Sequence, residues 1–276
     1  TREATVWTEL ADRMERGILD GFSDGRQWNP EKFGFFHDPS MSIYADYVGY
    51  DVRNDAPAAW YSLCDNTYRS DIDRYIGNAF FGPRGLGYDH NIITQTSMLL
   101  DRSDDYDRFL TNLSKLCYSP RLPKPFIVPE GASYSREQGM YRRQGDLGNF
   151  VQQNETVRTI LMAAGTSKAQ GNVVKIMPRL PKTWNVEVND LTVPGSEAKI
   201  SYRATYPENN VQTASFSIEN KGNLDTLKFR AGPFTCDRVT VNGTVVRTEP
   251  AGDARWAWIT VDRLQNGEKY TFNIRP

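Results

Sequence analysis

The densest group of chemically reactive side chains in the sequence lies in residues 126–155. An apolar run bounded by prolines leads to Glu130, which is followed by Gly131. The segment after it has no clear period and is rich in rings, cations and acids: Tyr134, Arg136, Glu137, Tyr141, Arg142, Arg143, Gln144 and Asp146. The pattern predicts a loop between rigid elements, where binding and catalysis concentrate, although a solvated loop between two helices is the plainer interpretation. Carboxylates beside aromatic rings are typical of a site that binds and cleaves saccharides.

Three carboxylates in and near this segment are candidate catalytic groups, because hydrolysis of a glycosidic bond requires two carboxyl groups with different roles. Glu130 is the first candidate, as base, since it ends an apolar run at a glycine turn; a structural ion pair with a nearby arginine is the alternative. Asp146 is the second candidate, and a helix N-cap explains it equally well. Asp89 is the third and also lies near a predicted helix start.

Seven further side chains are candidates for substrate binding: Tyr88, His90, Tyr134, Tyr141, Arg142, Arg143 and Trp60. The two arginines suit a uronate carboxylate through paired hydrogen bonds, and a solvated basic face is the alternative. The rings suit stacking on a sugar, although core packing is the simpler interpretation for Trp60. His90 suits a contact to a sugar hydroxyl, or it is an ordinary hydrogen-bonded histidine.

The composition limits the classes of partner. The chain has 276 residues and a formal net charge of −1, so it lacks the basic field expected of a protein that binds nucleic acid or a membrane surface. Its cysteines, Cys64, Cys117 and Cys236, fit neither a zinc site nor a disulfide framework, and no metal or other cofactor is expected. No run is long enough to span a bilayer. The chain begins with Thr, so we expect a mature, trimmed or partial chain, and its compartment stays open.

Residues 1–170 are predicted to be mainly helical, because apolar positions there recur at helical spacing. Helices are expected at residues 3–19, 55–66, 89–100, 103–117 and 145–164. The first is expected to bury one apolar stripe, formed by Trp7, Leu10, Ala11, Met14 and Ile18. The last is expected to bury Phe150, Asn154, Val157, Leu161 and Ala164. Residues 22–55 form a long excursion with one short helix at 42–48, and a further helical piece is expected around residues 72–76.

A glycine-rich turn at residues 82–88 precedes the third helix. Such a turn cradles phosphates only when a strand precedes it in a βα unit, and no strand is apparent here. The glycines are therefore expected to allow close backbone approach at the mouth of a cleft.

From residue 173 the apolar positions alternate, which predicts β-strands. Strands are expected at residues 173–177, 186–188, 198–202, 214–219, 226–230, 238–241, 257–261 and 269–274. Asn242 and Gly243 predict a tight hairpin. Helices followed by strands predict an α+β protein with two domains, a helical catalytic region at residues 1–170 and an antiparallel β-sandwich at 171–276.

Three segments carry a resemblance to a known family: GLGYDHNIITQTSMLLDR at residues 85–102, IVPEG at 127–131 and IMPRLPKTW at 176–184. Together with the order of helices and strands, they resemble the C-terminal half of six-hairpin, (α/α)6-barrel glycoside hydrolases. More narrowly, they are similar to the α-L-rhamnosidase-like enzymes, whose barrel passes to a sandwich through a similar L-P-x-L-P-x-x-W step.

The resemblance implies a glycosidase whose barrel is only partly present, with a carbohydrate as substrate. It implies that the general acid comes from the earlier half of the barrel, so a missing N-terminal half, on another chain or removed, is an expected partner. Water activated by Glu130 is the expected nucleophile, which makes the reaction inverting. The expected substrates are oligo- or polysaccharides that contain α-L-rhamnose or a uronate.

Two other functions remain open from the sequence. A polysaccharide lyase also joins a helical toroid to a sandwich, and would use Tyr88, His90 and Arg143 to remove a proton beside a uronate carboxylate. A non-catalytic carbohydrate-binding or structural fragment is the third. An unsaturated product distinguishes the lyase from the hydrolase, and binding without turnover distinguishes the fragment from both.

Overall fold

The computed structural model describes residues 2–27, 58–71, 85–118, 129–135, 137–138, 140–147, 150–166, 169–182, 184–205, 212–219, 224–251 and 253–275. The described part of the chain is an α+β protein, as predicted from the change between helical spacing and alternation of the apolar residues. Its helices are α1 (Arg2–Phe22), α2 (Ala58–Asp71), α3 (Gly87–Leu99), α4 (Ser103–Tyr118) and α5 (Phe150–Ala164). The predicted short helix at 42–48 and the helical piece around residues 72–76 lie outside the described residues.

Helices α2 to α5 share one core, whose buried apolar residues are Leu63, Cys64, Tyr68, Met98, Leu99, Leu100, Tyr106, Leu110, Met162 and Ala163. Helix α4 illustrates why the sequence folds this way. Asp104 and Asp105 lie in its first turn and complement the helix dipole. Tyr106, Phe109 and Leu110 are buried, as their spacing predicts.

The prediction for α1 is wrong in one respect, because its apolar stripe is exposed. Trp7 is 62% exposed and Met14 is 60% exposed, and Leu10 is exposed as well. Only the last turns, through Ile18 and Leu19, pack against the helical core. The spacing of apolar residues predicts an amphipathic helix, but it carries no information on whether a surface exists to receive the stripe.

The predicted stripe of α5 is wrong in part, and the side chain of Phe150 lies outside the described residues. Asn154 and Val157 are exposed, Val157 by 54%, whereas Ala164 is buried. The face that is buried is largely polar and comprises Glu155, Thr156, Thr159, Met162 and Ala163. Helix α5 therefore meets its neighbours through hydrogen bonds at residues 155–159 and through apolar packing at residues 162–163.

The segment predicted as a loop is a β-hairpin. Strands β1 (Gly85–Leu86), β2 (Pro129–Ser135) and β3 (Met140–Leu147) form an antiparallel sheet in that order. Asp146 therefore lies in a strand, and the expectation that it caps a helix is wrong, since α5 begins at Phe150. The residues of β3 do not alternate between polar and apolar, so the strand leaves no period to detect.

A short strand, β1, also lies within the glycine-rich segment at residues 82–88, where none is apparent in the sequence. It pairs antiparallel with β2 and has two residues. It is therefore not part of a parallel βα unit, and it gives no support to a phosphate cradle.

The C-terminal region contains two stacked sheets. Its strands are β4 (Val173–Ile176), β5 (Asn185–Thr192), β6 (Lys199–Thr205), β7 (Gln212–Glu219), β8 (Thr226–Ala231), β9 (Arg238–Val241), β10 (Thr244–Val245), β11 (Glu249–Ala251), β12 (Asp253–Asp262) and β13 (Lys269–Arg275). One sheet has the order β10-β9-β13-β7-β6-β5, and the other has the order β11-β12-β8-β4. Every predicted strand is present, and the Asn242–Gly243 turn joins β9 to β10.

One pairing departs from the predicted antiparallel sandwich. β4 pairs with β8 in parallel, with Val173 opposite Thr226 and Ile176 opposite Phe229. The remaining pairs in both sheets are antiparallel. A parallel pair requires a long crossover, and here the crossover runs through three strands of the other sheet.

Aromatic side chains from both sheets fill the sandwich core. Phe216 and Phe272 meet edge to face with their ring centroids 5.0 Å apart, and Phe229 lies 5.3 Å from Phe216. Tyr202 stacks on Phe216 on the other side. Each of these buried rings contributes about 1.5–3 kcal/mol by leaving water.

The two regions meet at the segment 177–181, which is buried. Backbone amides of Met177 and Arg179 donate to Gly165 and Ala163 at the end of α5. Gly165 has a φ of 83°, and a Cβ there would lie 2.2 Å from the Met177 carbonyl carbon, so the close approach requires glycine. Trp184 at the end of this segment packs against the helical core.

A buried ionic group, which we call the junction cluster, joins the α3–α4 turn to the sandwich. It consists of Asp101, Arg179 and Arg230. Arg230 holds both carboxylate oxygens of Asp101, with Nη1 at 2.8 Å from Oδ1, and stacks over Trp256 at 4.2 Å. Arg179 Nε lies 3.8 Å from the same carboxylate. Such bidentate pairs are strong when desolvated, so the cluster fixes one end of α3 to β8.

Candidate functional site

Glu130 and Asp146 lie at neighbouring positions of the β2–β3 hairpin. Gly131 pairs with Gln144 and Pro129 pairs with Leu147, and the register shifts between these two pairs. Glu130 therefore stands opposite two residues of β3, of which Asp146 is one. This is a β-bulge, a device that is common next to active sites. The structure thus brings together the first two candidate carboxylate positions.

Asp89 follows the short strand β1, which pairs with β2 on the side opposite to β3. Leu86 pairs with Gly131, so the next residue, Gly87, reaches the level of Glu130. Gly87 is also the first residue of α3, which places Asp89 in the first turn of that helix, between Tyr88 and His90. Helix α3 contacts both β1 and β2. The first turn of α3, with Tyr88, Asp89 and His90, therefore starts beside β2, the strand that contains Glu130.

The hairpin register also orders the rings and cations. Tyr134 pairs with Tyr141, and Ala132 pairs with Arg143. Positions along a strand alternate between the faces of a sheet, so the positions of Glu130, Tyr134, Tyr141 and Arg143 belong to one face. Arg142 pairs with Ser133 and occupies a position of the opposite face. The two arginine positions are therefore on different faces of the hairpin.

Trp60 is placed outside this group. It lies in the first turn of α2, and the strand register that connects the other candidates does not extend to that helix. Further along, α2 enters the helical core through Leu63, Cys64 and Tyr68. Trp60 and the other candidate site residues are therefore located by the positions of their backbones.

A buried polar network between α3 and α5, which we call the helix network, was not anticipated from the sequence. Its members are Asn91, Gln95, Glu155, Thr156 and Thr159. The Gln95 amide nitrogen lies 2.9 Å from Glu155 Oε2 and 3.0 Å from Thr159 Oγ1. Asn91 Nδ2 donates to Thr156 Oγ1 at 3.1 Å, and Asn91 Oδ1 lies 3.0 Å from the Thr159 hydroxyl.

The network left one signal in the sequence. Asn91 and Gln95 are four residues apart, and so are Glu155 and Thr159, which places each pair on one face of its helix. Polar pairs at this spacing are usual on exposed faces, so the spacing alone does not reveal that both pairs are buried. Arg158, which is 27% exposed, closes the outer side by donating to Glu155 Oε1 at 2.8 Å.

The carboxylate of Glu155 has a structural role in the helix network. Glu155 accepts hydrogen bonds on both oxygens, so it is held in place rather than available to transfer a proton to a substrate. The positions of Glu130 and Asp89 lie near the start of α3, where backbone N–H groups and the helix dipole favour negative charge, and Asp146 lies opposite Glu130 on β3. Carboxylates in such an arrangement suit paired acid and base chemistry.

The described residues contain neither a candidate metal site nor a candidate membrane-spanning helix. No group of three or more His, Cys, Asp or Glu residues in this part of the chain is arranged to hold a metal ion. Within the same residues, no helix combines the length and the hydropathy needed to cross a membrane.

A scan against models of protein families finds no match, and a search of curated proteins finds none either. Among solved structures, the chain is similar to a GH127 β-L-arabinofuranosidase from Geobacillus stearothermophilus T6, with 12% identity and a TM-score of 0.40 over 82% of this chain and 40% of that one. It is also similar to a second GH127 β-arabinofuranosidase, with 14% identity and a TM-score of 0.36 over 79% and 41%. The chain spans about two fifths of the length of these enzymes. Neither is a rhamnosidase, and the narrower resemblance to that group stays a prediction.

Proposed function

We propose that this chain carries the later half of a glycoside hydrolase site and cleaves a glycosidic bond in an oligo- or polysaccharide. The observation that carries the proposal is the convergence of three carboxylate positions from separate segments. Asp146 is one of two residues opposite Glu130 at the bulge, and Asp89 lies in the first turn of the helix that follows the β1–β2 pair. Hydrolysis of a glycosidic bond needs two such groups on opposite sides of the scissile bond.

In this proposal Glu130 is the general base and activates a water molecule, which attacks the anomeric carbon and inverts it. Asp89 and Asp146 are the described candidates for the second carboxylate. Tyr134 and Tyr141 pair across the hairpin, on the face that also holds the Glu130 position, and they form the platform for a sugar ring. Arg143 belongs to the same face and would favour a substrate that carries a carboxylate.

We further propose that additional helices, on a separate chain or on an earlier segment, complete the helical region. Two exposed apolar surfaces support this. One is the stripe on α1 that includes Trp7 and Met14, and the other is the outer face of α5 with Val157 and Ile160, which is 50% exposed. Helices with an apolar face normally bury it against another element.

The experiment that tests the proposal is product analysis on a panel of saccharides. The panel holds α-L-rhamnosides, β-L-arabinofuranosides and uronate-containing oligosaccharides, each incubated with the protein and assayed for new reducing ends. The proposal predicts reducing ends with no new ultraviolet-absorbing double bond, since water is added across the broken bond. Binding of a panel member with no cleavage would contradict it and favour a carbohydrate-binding fragment.

A lyase is the second candidate, and one observation favours it. The β1–β2 register brings the first turn of α3, with Tyr88 and His90, beside the hairpin that carries Arg143. A base and a carboxylate-binding cation at such positions would suit proton abstraction beside a uronate. An ultraviolet-absorbing product from a uronate-containing oligosaccharide, lost in His90→Ala, would establish this function in place of hydrolysis.

A further inference from the structure

We propose that the helix network positions the first turn of α3 against Glu130, so that Gln95 and Thr159 are positioning residues of the candidate site. This inference rests on the proposed function, because it assigns a role within the same site. It concerns residues that do not touch the substrate and that act through Tyr88, Asp89 and His90.

The chain connects the three-stranded sheet directly to the two helices of the helix network. In the three-stranded sheet, β2 with Glu130 lies between β1 and β3. The chain leaves β1 directly into α3, and it leaves β3 into α5 after two residues. The two outer strands therefore lead into the two helices that the helix network joins. Strand pairing joins β1 and β3 through β2, and the helix network joins α3 to α5. The position of Glu130 therefore lies on the strand between the two outer strands that lead into these helices.

The helix network contacts α3 directly after its first three residues of interest, Tyr88, Asp89 and His90. Asn91 follows the turn that bears Tyr88, Asp89 and His90, and its amide group is held at both ends by Thr156 and Thr159. Hydrogen bonds with defined donors and acceptors add to packing a directional constraint that selects one register of the two helices. The network thus determines how far the start of α3 reaches along β2.

Helix α5 buries polar side chains in the helix network while two of its apolar side chains stay exposed. α5 turns Glu155 and Thr159 inward while Val157 and Ile160 remain exposed. Burying polar groups costs desolvation, and an apolar interface of the same shape is often as stable or more stable. Polar residues at these positions therefore add more to the definition of geometry than to the stability of the helix pair.

The test compares two substitutions of one buried hydroxyl. Thr159→Val keeps the volume and removes the hydroxyl that contacts Asn91 and Gln95, and Thr159→Ser restores it. Thr159→Val is expected to lower kcat about 10- to 100-fold on the saccharide that the wild type cleaves, because small misplacements of catalytic groups have effects of that size. KM should stay within about threefold, and Thr159→Ser should recover most of the lost kcat.

Thr226→Val is the matched control, because Thr226 is also buried and donates its hydroxyl to Asp262 at 3.0 Å in the sandwich. It should lower the midpoint of unfolding without changing kcat. An unchanged kcat in Thr159→Val would overturn the proposal. An equal loss of kcat in Thr226→Val would also overturn it, since the effect would then be one of general stability.

Amide hydrogen exchange separates this inference from the proposed function. If the wild type cleaves no saccharide, the proposed function fails, and the positioning role is still read from exchange. Thr159→Val is expected to raise exchange about tenfold at residues 87–91 and 130–133, while exchange in the sandwich stays unchanged. Exchange at those residues equal to that of Thr226→Val would contradict the positioning role.

Discussion

Two buried polar clusters in the described part of the chain differ in kind. The junction cluster is ionic: the carboxylate of Asp101 lies against Arg179 and Arg230, and all three are buried. The helix network consists mainly of amides and hydroxyls, and its one carboxylate, Glu155, pairs with a partly exposed arginine. The clusters lie toward opposite ends of α3, one at its last turn and one near its first.

The difference shows how one helix serves two purposes. Removing one partner from a buried charge pair leaves an uncompensated charge, so the junction cluster makes the fold dependent on the contact between the two regions. Neutral hydrogen bonds contribute less to stability, but they fix direction. We therefore expect the junction cluster to determine stability and the helix network to determine the geometry of the site.

The largest effect is expected from Asp101→Asn. This change retains the shape and tolerates the φ of 55°, because Asn adopts this conformation as readily as Asp. It removes the negative charge that faces two buried arginines, and we expect a loss of about 3–5 kcal/mol in the free energy of unfolding. Urea denaturation followed by circular dichroism measures this.

Asp190→Asn is the control for that experiment. Asp190 has a φ of 52° and is exposed, so the same chemical change occurs in the same backbone conformation without burial. Its unfolding free energy should differ from the wild type by no more than about 0.5 kcal/mol. Equal losses in the two variants would mean that backbone strain, and not buried charge, explains the result.

Glu155→Gln makes the same carboxylate-to-amide change in the helix network. The amide oxygen can still accept from Gln95, and the lost charge faces Arg158, which reaches solvent. We expect a loss of about 1 kcal/mol or less, measured by the same urea titration. A loss as large as that of Asp101→Asn would remove the distinction between the two clusters.

The smallest effect is expected from Lys182→Ala, which breaks an exposed contact between the two regions. Lys182 Nζ lies 3.1 Å from Asp104 Oδ1, and both side chains are exposed to solvent. Exposed pairs contribute little, so the free energy of unfolding, measured by thermal denaturation, should change by no more than about 0.5 kcal/mol. A larger loss would show that surface contacts, rather than the junction cluster, hold the regions together.

The sandwich was predictable because its strands alternate between buried and exposed positions. β6 and β13, for example, bury every second residue, and a two-residue period is visible without any knowledge of partners. The parallel β4–β8 pair was not predictable, because the period of a short strand does not reveal the direction of its neighbour.

The helical region was harder for physical reasons. The α1 stripe predicts a helix but not a receiving surface, and α5 buries its polar face because Gln95 and Asn91 offer hydrogen bonds there. The β2–β3 hairpin was missed because Tyr141, Arg142 and Arg143 in succession show no alternation. In each case the partner that decides the outcome lies elsewhere in the chain.

For the site, residue types suggested candidates, and the sequence did not show where these candidates lie relative to one another. Glu130, Asp146 and Asp89 were candidates because of their local context, and their proximity follows from strand register and a bulge. Neither register nor a bulge can be inferred from one sequence without knowing which strands pair. The catalytic roles of these residues stay predictions.

The most direct test of the central claim is turnover by Glu130→Gln beside Glu137→Gln. Both change a glutamate of the same hairpin into its amide, and Glu137 lies exposed at the turn between β2 and β3. The account predicts that Glu130→Gln lowers kcat at least about a hundredfold while the variant still binds the saccharide, because loss of a general base has this size of effect. Glu137→Gln should keep wild-type kcat. A Glu130→Gln variant with wild-type kcat would contradict the account.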